Sequence, residues 1–323
     1  MRGAGRPAGW PSLAGFDYRM VDAGGTGILA AIGGSGPPLL LLHGFPQTHL
    51  MWRKVAPALA ERFTVVATDL RGYGDSSKPP GDPEHLNYSK RVMAADQAAV
   101  MSTLGFERFA VCGHDRGARV AHRLAVDHSH RVARLAVLDI APTLAMYRAT
   151  DMAFARAYYH WFFLIQPAPF PESVIGAAPA QFLRHHMGGR HAGLAPFQPD
   201  ALEEYERCFS DPATVHACCE DYRAAASIDL VHDEADVGAG RRLECPLLVL
   251  WGEHGVIGRQ FDALACWRAV ADDVRGGPLA CGHYLAEEAP DVLVSALLPF
   301  LCESGVGTTF GVRSCLLLAK DKT

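Results

Sequence analysis

Lysine is scarce in this sequence, with 5 residues among 323 against 25 arginines. Such a skew reads as a coding bias, so no single arginine carries weight by itself. An excess of positive charge is also missing. The net charge is −5, which argues against nucleic acid and membrane surfaces as partners. The nine cysteines form no CxxC pair and have no regular spacing, so they read as reduced thiols. The first 20 residues hold Gly, Pro and Arg but no apolar stretch of the kind a signal peptide needs. Together with the reduced thiols, that points to the cytoplasm. Long apolar runs are lacking too. Segments such as Pro37 to Leu42 and Cys245 to Trp251 have the length of buried strands and cannot span a bilayer.

What is present is apolar patterning. The chain is 49% hydrophobic, enough for one large core, or one core with an inserted lid. Continuous apolar runs at Leu39 to Leu42, Phe63 to Ala67, Phe109 to Cys112, Leu135 to Leu138 and Leu247 to Trp251 read as parallel strands covered on both faces. Helical stretches alternate with them at Met93 to Leu104, Ala118 to His128 and Phe261 to Ala271. That alternation predicts an α/β fold with a mostly parallel, doubly wound sheet, whose strand C-termini carry the ligand chemistry. Residues 144–225 break the pattern with aromatics, prolines and helix-like pieces, and read as a helical cap. The core is then expected in two parts, 1–143 and 226–302, with 303–323 a loosely ordered tail.

Gly113-His114-Asp115-Arg116-Gly117 stands between an apolar strand and a helix. Glycine at both ends lets the backbone turn sharply and lift the central side chain over the strand end. This is the frame of the α/β-hydrolase nucleophile elbow. Most such elbows hold serine, and this one holds Asp115. A carboxylate is already ionised at neutral pH and can displace a leaving group from a saturated carbon without a base to activate it. The bland alternative is an aspartate that caps the next helix. His283, in Ala280-Cys281-Gly282-His283-Tyr284, comes late in the chain, where this fold places its base. There it would activate water to break the resulting ester. The acid that orients His283 is less plain. The loop after Leu247 to Trp251 has Gly255 where an aspartate is expected, with Glu253 nearby. Asp139 ends an earlier strand and reaches the same imidazole, so it is favoured and Glu253 is the runner-up. His43-Gly44-Phe45-Pro46 follows the first apolar run, which makes the backbone N–H groups of Phe45 and Arg116 an expected anion hole.

Arg116 and Arg119 lie three residues apart near a helix N-terminus. That spacing puts both guanidiniums on one face beside the nucleophile, where a small carboxylate would fit. A solvated helix face would explain them less well, even with the arginine bias. His160, Trp161 and Tyr222 supply imidazole, indole and phenol donors for a leaving group. An aromatic stripe is as often core.

Asp115-Arg116-Gly117-Ala118-Arg119, Leu138-Asp139-Ile140 with Pro142, His160-Trp161, Tyr222 and Cys281-Gly282-His283 together resemble the fluoroacetate dehalogenases of the α/β-hydrolase fold. The resemblance covers roughly residues 12 to 302. It implies Asp115 as nucleophile, Arg116 and Arg119 as carboxylate clamp, Asp139 as acid and His283 as base. It also implies His160, Trp161 and Tyr222 as halide donors. The implied enzyme needs no cofactor or metal, acts on a small haloacid and, like many members of that family, is a homodimer. Two other readings stand beside it. Epoxide hydrolases share the elbow frame and the HGFPQ loop but typically carry Trp after the nucleophile and paired cap tyrosines. Catalytically dead binding modules of this fold usually lose a triad member. Neutral haloalkanes would leave two buried arginines without an anion.

Overall fold

The computed structural model describes residues 10–303. Its eight strands are β1 (Asp17–Asp22), β2 (Gly27–Gly33), β3 (Pro38–Leu42), β4 (Thr64–Thr68), β5 (Phe109–His114), β6 (Val132–Leu138), β7 (Leu247–Gly252) and β8 (Val274–Leu279). They form one sheet in the order β1-β2-β4-β3-β5-β6-β7-β8. From β4 to β8 every pairing is parallel, while β1 and β2 join antiparallel. The apolar runs at the centre are buried along their whole length in β5 and nearly so in β3 and β6, as strands covered on both faces must be. The doubly wound α/β expectation is met.

Three strands fall outside the sequence expectation, for local reasons. β1 leaves one residue buried and four exposed, so it shows no apolar run. Its partner β2 begins and ends on glycine. β8 reads Val-Arg-Gly-Gly-Pro-Leu and pairs only with β7 at the sheet edge, where proline and glycine are tolerated. Gly276 there has φ 148°, and a Cβ would press into the Val249 carbonyl of β7.

The expected helices appear as Lys90–Thr103, Asp115–Asp127 and Ala263–Arg268. The second starts three residues before its expected first residue, at Asp115 itself. Between β6 and β7 the described chain forms eight helices and no strand, from Thr143–Arg148 to Ile228–Gly238. Trp161 and Tyr222 from this insertion belong to the same buried apolar cluster as β5, so the insertion packs directly over the strand ends. Of the expected tail, only Glu303 lies within the described residues, where it pairs with Arg134 and Arg275.

Candidate active site

β5 ends at His114, and Asp115 follows with φ 47°, in the left-handed region. Aspartate tolerates that region better than most side chains. The flanking glycines have a different task from the one their sequence setting suggests. Neither has positive φ. A Cβ on Gly113 would come within 2.6 Å of the Ala118 Cα, and one on Gly117 would collide with the His43 carbonyl. Gly44 passes Asp115 so closely that a Cβ would strike the aspartate's own. The glycines therefore permit close approach of three chain segments, and the aspartate itself makes the turn.

Asp115 is buried, and its Oδ1 accepts a hydrogen bond from the Phe45 N–H at 2.9 Å. The Arg116 N–H lies in the first turn of the helix, where it has no intrahelical acceptor. Burial alone would push the Asp115 carboxyl up. His283, His114, Arg116 and Arg119 outweigh burial and hold it at about 2, so it is a carboxylate at neutral pH.

His283 Nδ1 meets Asp139 Oδ2 at 2.6 Å. The other carboxylate oxygen, Oδ1, accepts from the Gly252 N–H at 2.9 Å. Asp139 also has positive φ, 53°, which turns it from the end of β6 toward the histidine. Gly255 explains the missing aspartate in the later loop, because a Cβ there would come within 3.2 Å of Asp139 Oδ1. Glu253, the alternative, is exposed, and no bond joins it to His283.

The two arginines differ. Arg116 is fully buried and sends Nε and Nη2 to the two oxygens of Asp221, at 2.9 and 2.8 Å. Its Nη1 is buried without a hydrogen-bond partner in the protein. Arg119 is also buried but has no carboxylate within ion-pair distance among the described residues. It donates to Thr143 Oγ1 at 2.8 Å and lies 3.3 Å from the Ala141 carbonyl, leaving Nε without a partner. Burial, and then the like charge of Arg116, pull its guanidinium below the usual arginine range.

His160, Trp161 and Tyr222 come together around this pair. Arg116 lies over the Tyr222 ring at 4.1 Å and Arg119 over the Trp161 ring at 4.7 Å. Ring centroids of His160 and Tyr222 are 5.7 Å apart, and Phe45 contacts both. His160 Nδ1, Trp161 Nε1 and the Tyr222 hydroxyl are all buried and unpartnered. Burial, reinforced by His186 and Arg190, keeps the His160 imidazole neutral. Buried polar groups rarely lack partners. Here five such groups, with the two arginines counted, collect beside one carboxylate. The arrangement suits an anion.

The model of the alpha/beta hydrolase fold family matches residues 37–290. The chain belongs to that family. A fluoroacetate dehalogenase from Burkholderia sp is 49% identical to this hydrolase over 294 residues, covering 91% of it and 96% of the relative. A soluble epoxide hydrolase from Corynebacterium sp. (strain C12) is 36% identical over 273 residues, covering 83% and 91%. Among solved structures, a candidate alpha/beta hydrolase from Nostoc sp PCC 7120 superposes with a TM-score of 0.89 at 59% identity, covering 91% of this chain and all of that one.

The hydrolase holds its site with residues that the sequence did not single out. His114 sits next to Asp115, and its Nε2 donates to the His283 carbonyl at 2.8 Å. Burial, helped by His283, lowers this imidazole to about 4, so it is neutral. Asp221 is the other. Besides Arg116 it binds Lys90 and accepts from the Tyr73 hydroxyl at 2.7 Å. It precedes Tyr222, and that adjacency was the one signal available for it. Arg116, Lys90 and Tyr73 come from the core and Asp221 from the insertion, so the cluster ties the two together. Asp221→Asn strips the charge from a buried partner of two cations. It is expected to destabilise the protein by about 3–5 kcal/mol, read as a lower melting temperature; an unchanged melt would show that the cluster does not hold the insertion down.

Among the described residues no group of His, Cys, Asp and Glu is arranged to hold a metal ion, and no helix is long and apolar enough to cross a membrane. The eight cysteines among them are all unpaired.

Proposed function

We propose that this hydrolase removes halide from a haloacetate, fluoroacetate first among them, and returns glycolate. The observation that carries the reading is the buried Arg119 cation without a carboxylate, beside Arg116 and three unpartnered donors, all at one nucleophilic aspartate. The relative named fluoroacetate dehalogenase supports it.

Arg119 and the free Nη1 of Arg116 take the substrate carboxylate, which brings the halogen-bearing carbon to Asp115. Phe45 N–H engages Asp115 Oδ1, so Oδ2 attacks in line. The C–O bond forms as the carbon–halogen bond breaks, and halide leaves with the electron pair. His160, Trp161 and Tyr222 donate to it, replacing the water it would have in solution. Water then attacks the ester carbonyl and gives its proton to His283 Nε2. Asp139 stabilises the imidazolium, and the Phe45 and Arg116 N–H groups hold the oxyanion on Oδ1. The tetrahedral intermediate then collapses with cleavage of the Asp115 Cγ–Oδ2 bond, and the His283 imidazolium returns its proton to the departing alkoxide; the alkyl–oxygen bond survives, so the product hydroxyl oxygen comes from Asp115. Residues 144–225 act as the cap in this reading, since the helices that bear His160, Trp161 and Tyr222 lie over the strand ends. The cytoplasmic setting rests on the cysteine pattern and the composition of the first 20 residues, and the homodimer on the sequence resemblance.

A second reading, epoxide hydrolysis, is favoured by the relative of that name. A neutral epoxide would leave the Arg119 charge buried and unanswered. The test is turnover of fluoroacetate, chloroacetate, styrene oxide and 1-chlorobutane, followed by halide electrode and diol detection. Halide from the two acids alone is expected. Diol formation without halide release would overturn the reading.

A further inference from the structure

Against the His283–Asp139 pair lies a cavity of about 290 Å³ that does not include Asp115, Arg116 or Arg119 in its wall. Arg190 and Arg259 line it, with Tyr158 between the cavity and the donors of the inner site. Neither arginine has a carboxylate within ion-pair distance among the described residues. Arg190 lies over the Tyr158 ring at 5.2 Å, and Tyr158 in turn contacts His160 at 5.4 Å. His191 and His254 stack in the same wall with centroids 4.3 Å apart. The one carboxylate present, Asp139, has both oxygens taken by His283 and Gly252. The cavity thus offers two guanidiniums and no unengaged carboxylate, which is the chemistry of an anion site. The wider charge balance calls for one. With a net charge of −5, the protein as a whole repels an anionic substrate, and a local pair of guanidiniums offsets that repulsion.

We infer that this cavity is an outer anion site for small carboxylates, with Arg190 as its main ligand and Arg259 at its rim. It rests on the haloacid reading of the inner site. It takes the haloacetate before the Arg116–Arg119 clamp does, and receives glycolate on its way out. Because Arg190 meets the Tyr158 ring and the Tyr284 hydroxyl and no acid, its charge is left for the ligand.

The test titrates glycolate into the wild-type protein by calorimetry and measures kcat/KM for chloroacetate against ionic strength. Two glycolates per chain are expected. Arg190→Gln/Arg259→Gln loses one of them, and Arg119→Gln loses the other. The double variant also lowers kcat/KM about tenfold and flattens its dependence on salt, while Arg190→Lys with Arg259 intact restores part of both. A single glycolate in the wild type, or two retained in a correctly folded double variant, overturns the proposal. Calorimetry needs no turnover. Failure of the haloacid reading shows separately, as absence of halide release from the wild type.

Discussion

His283→Ala incubated with fluoroacetate is expected to gain one carboxymethyl group on Asp115, release a single equivalent of fluoride, and then stop. The two chemical steps use different groups. Alkylation needs the Asp115 carboxylate, the clamp and the halide donors, none of which involves His283. Ester hydrolysis needs a base, and losing one typically costs about 10²–10⁴-fold in rate. No neighbour can replace it. The nearest imidazole, His114, keeps its Nε2 proton on the backbone at position 283, and burial lowers it to about 4, which makes it a weak base. Intact mass and peptide mapping would show the adduct. An unmodified protein that still turns over would sink the covalent mechanism. Because Asp115 is held at about 2, below its ordinary value, it stays ionised as pH falls toward that value. Loss of His283 removes one of the groups that hold it there, yet an ordinary aspartate is itself ionised above about pH 5. The single burst of fluoride should therefore have the same rate from about pH 5 to pH 8.

Arg119→Gln is expected to cut kcat/KM for haloacetates on the order of a hundredfold to a thousandfold, since losing one partner of a buried charge pair costs about 2–5 kcal/mol. The same change should leave the ligand-free protein as stable as before, or more so. Arg119 is buried with no acid to pair with, and an unpaired buried cation opposes folding. Acetate should raise the melting temperature of the wild type by mass action and do so far less in the variant. Loss of activity together with a much lower melt would instead make Arg119 a structural residue. Arg116 gives no such clean separation, because its removal strands Asp221 with Lys90 alone at short range.

The acid at Asp139 shows how far local pattern reaches. The strand end at Leu138 and the empty place at Gly255 were both visible in the sequence, and together they made Asp139 the better candidate over Glu253. The bond that decides it spans 144 residues. His160, Trp161 and Tyr222 were legible as donor-bearing residue types, yet their convergence depends on helices folding back over β5 and β6. β8 was not legible at all, because glycine and proline at a sheet edge carry none of the apolar signal that marks β5.

By itself the sequence picked out Asp115 as the candidate nucleophile and the two arginines beside it, and it determined the parallel sheet beneath them. Those features are local: a turn between glycines, a spacing of three on one helix, apolar runs of strand length. Only the tertiary structure decided that Asp221 neutralises Arg116 and leaves Arg119 uncompensated. The 105 residues between Arg116 and Asp221 carry no periodic trace of the contact. Which buried charge meets which is set by the packing of the insertion on the core, and burial makes that choice decisive, because a charge removed from water must find its partner in the protein or in the substrate.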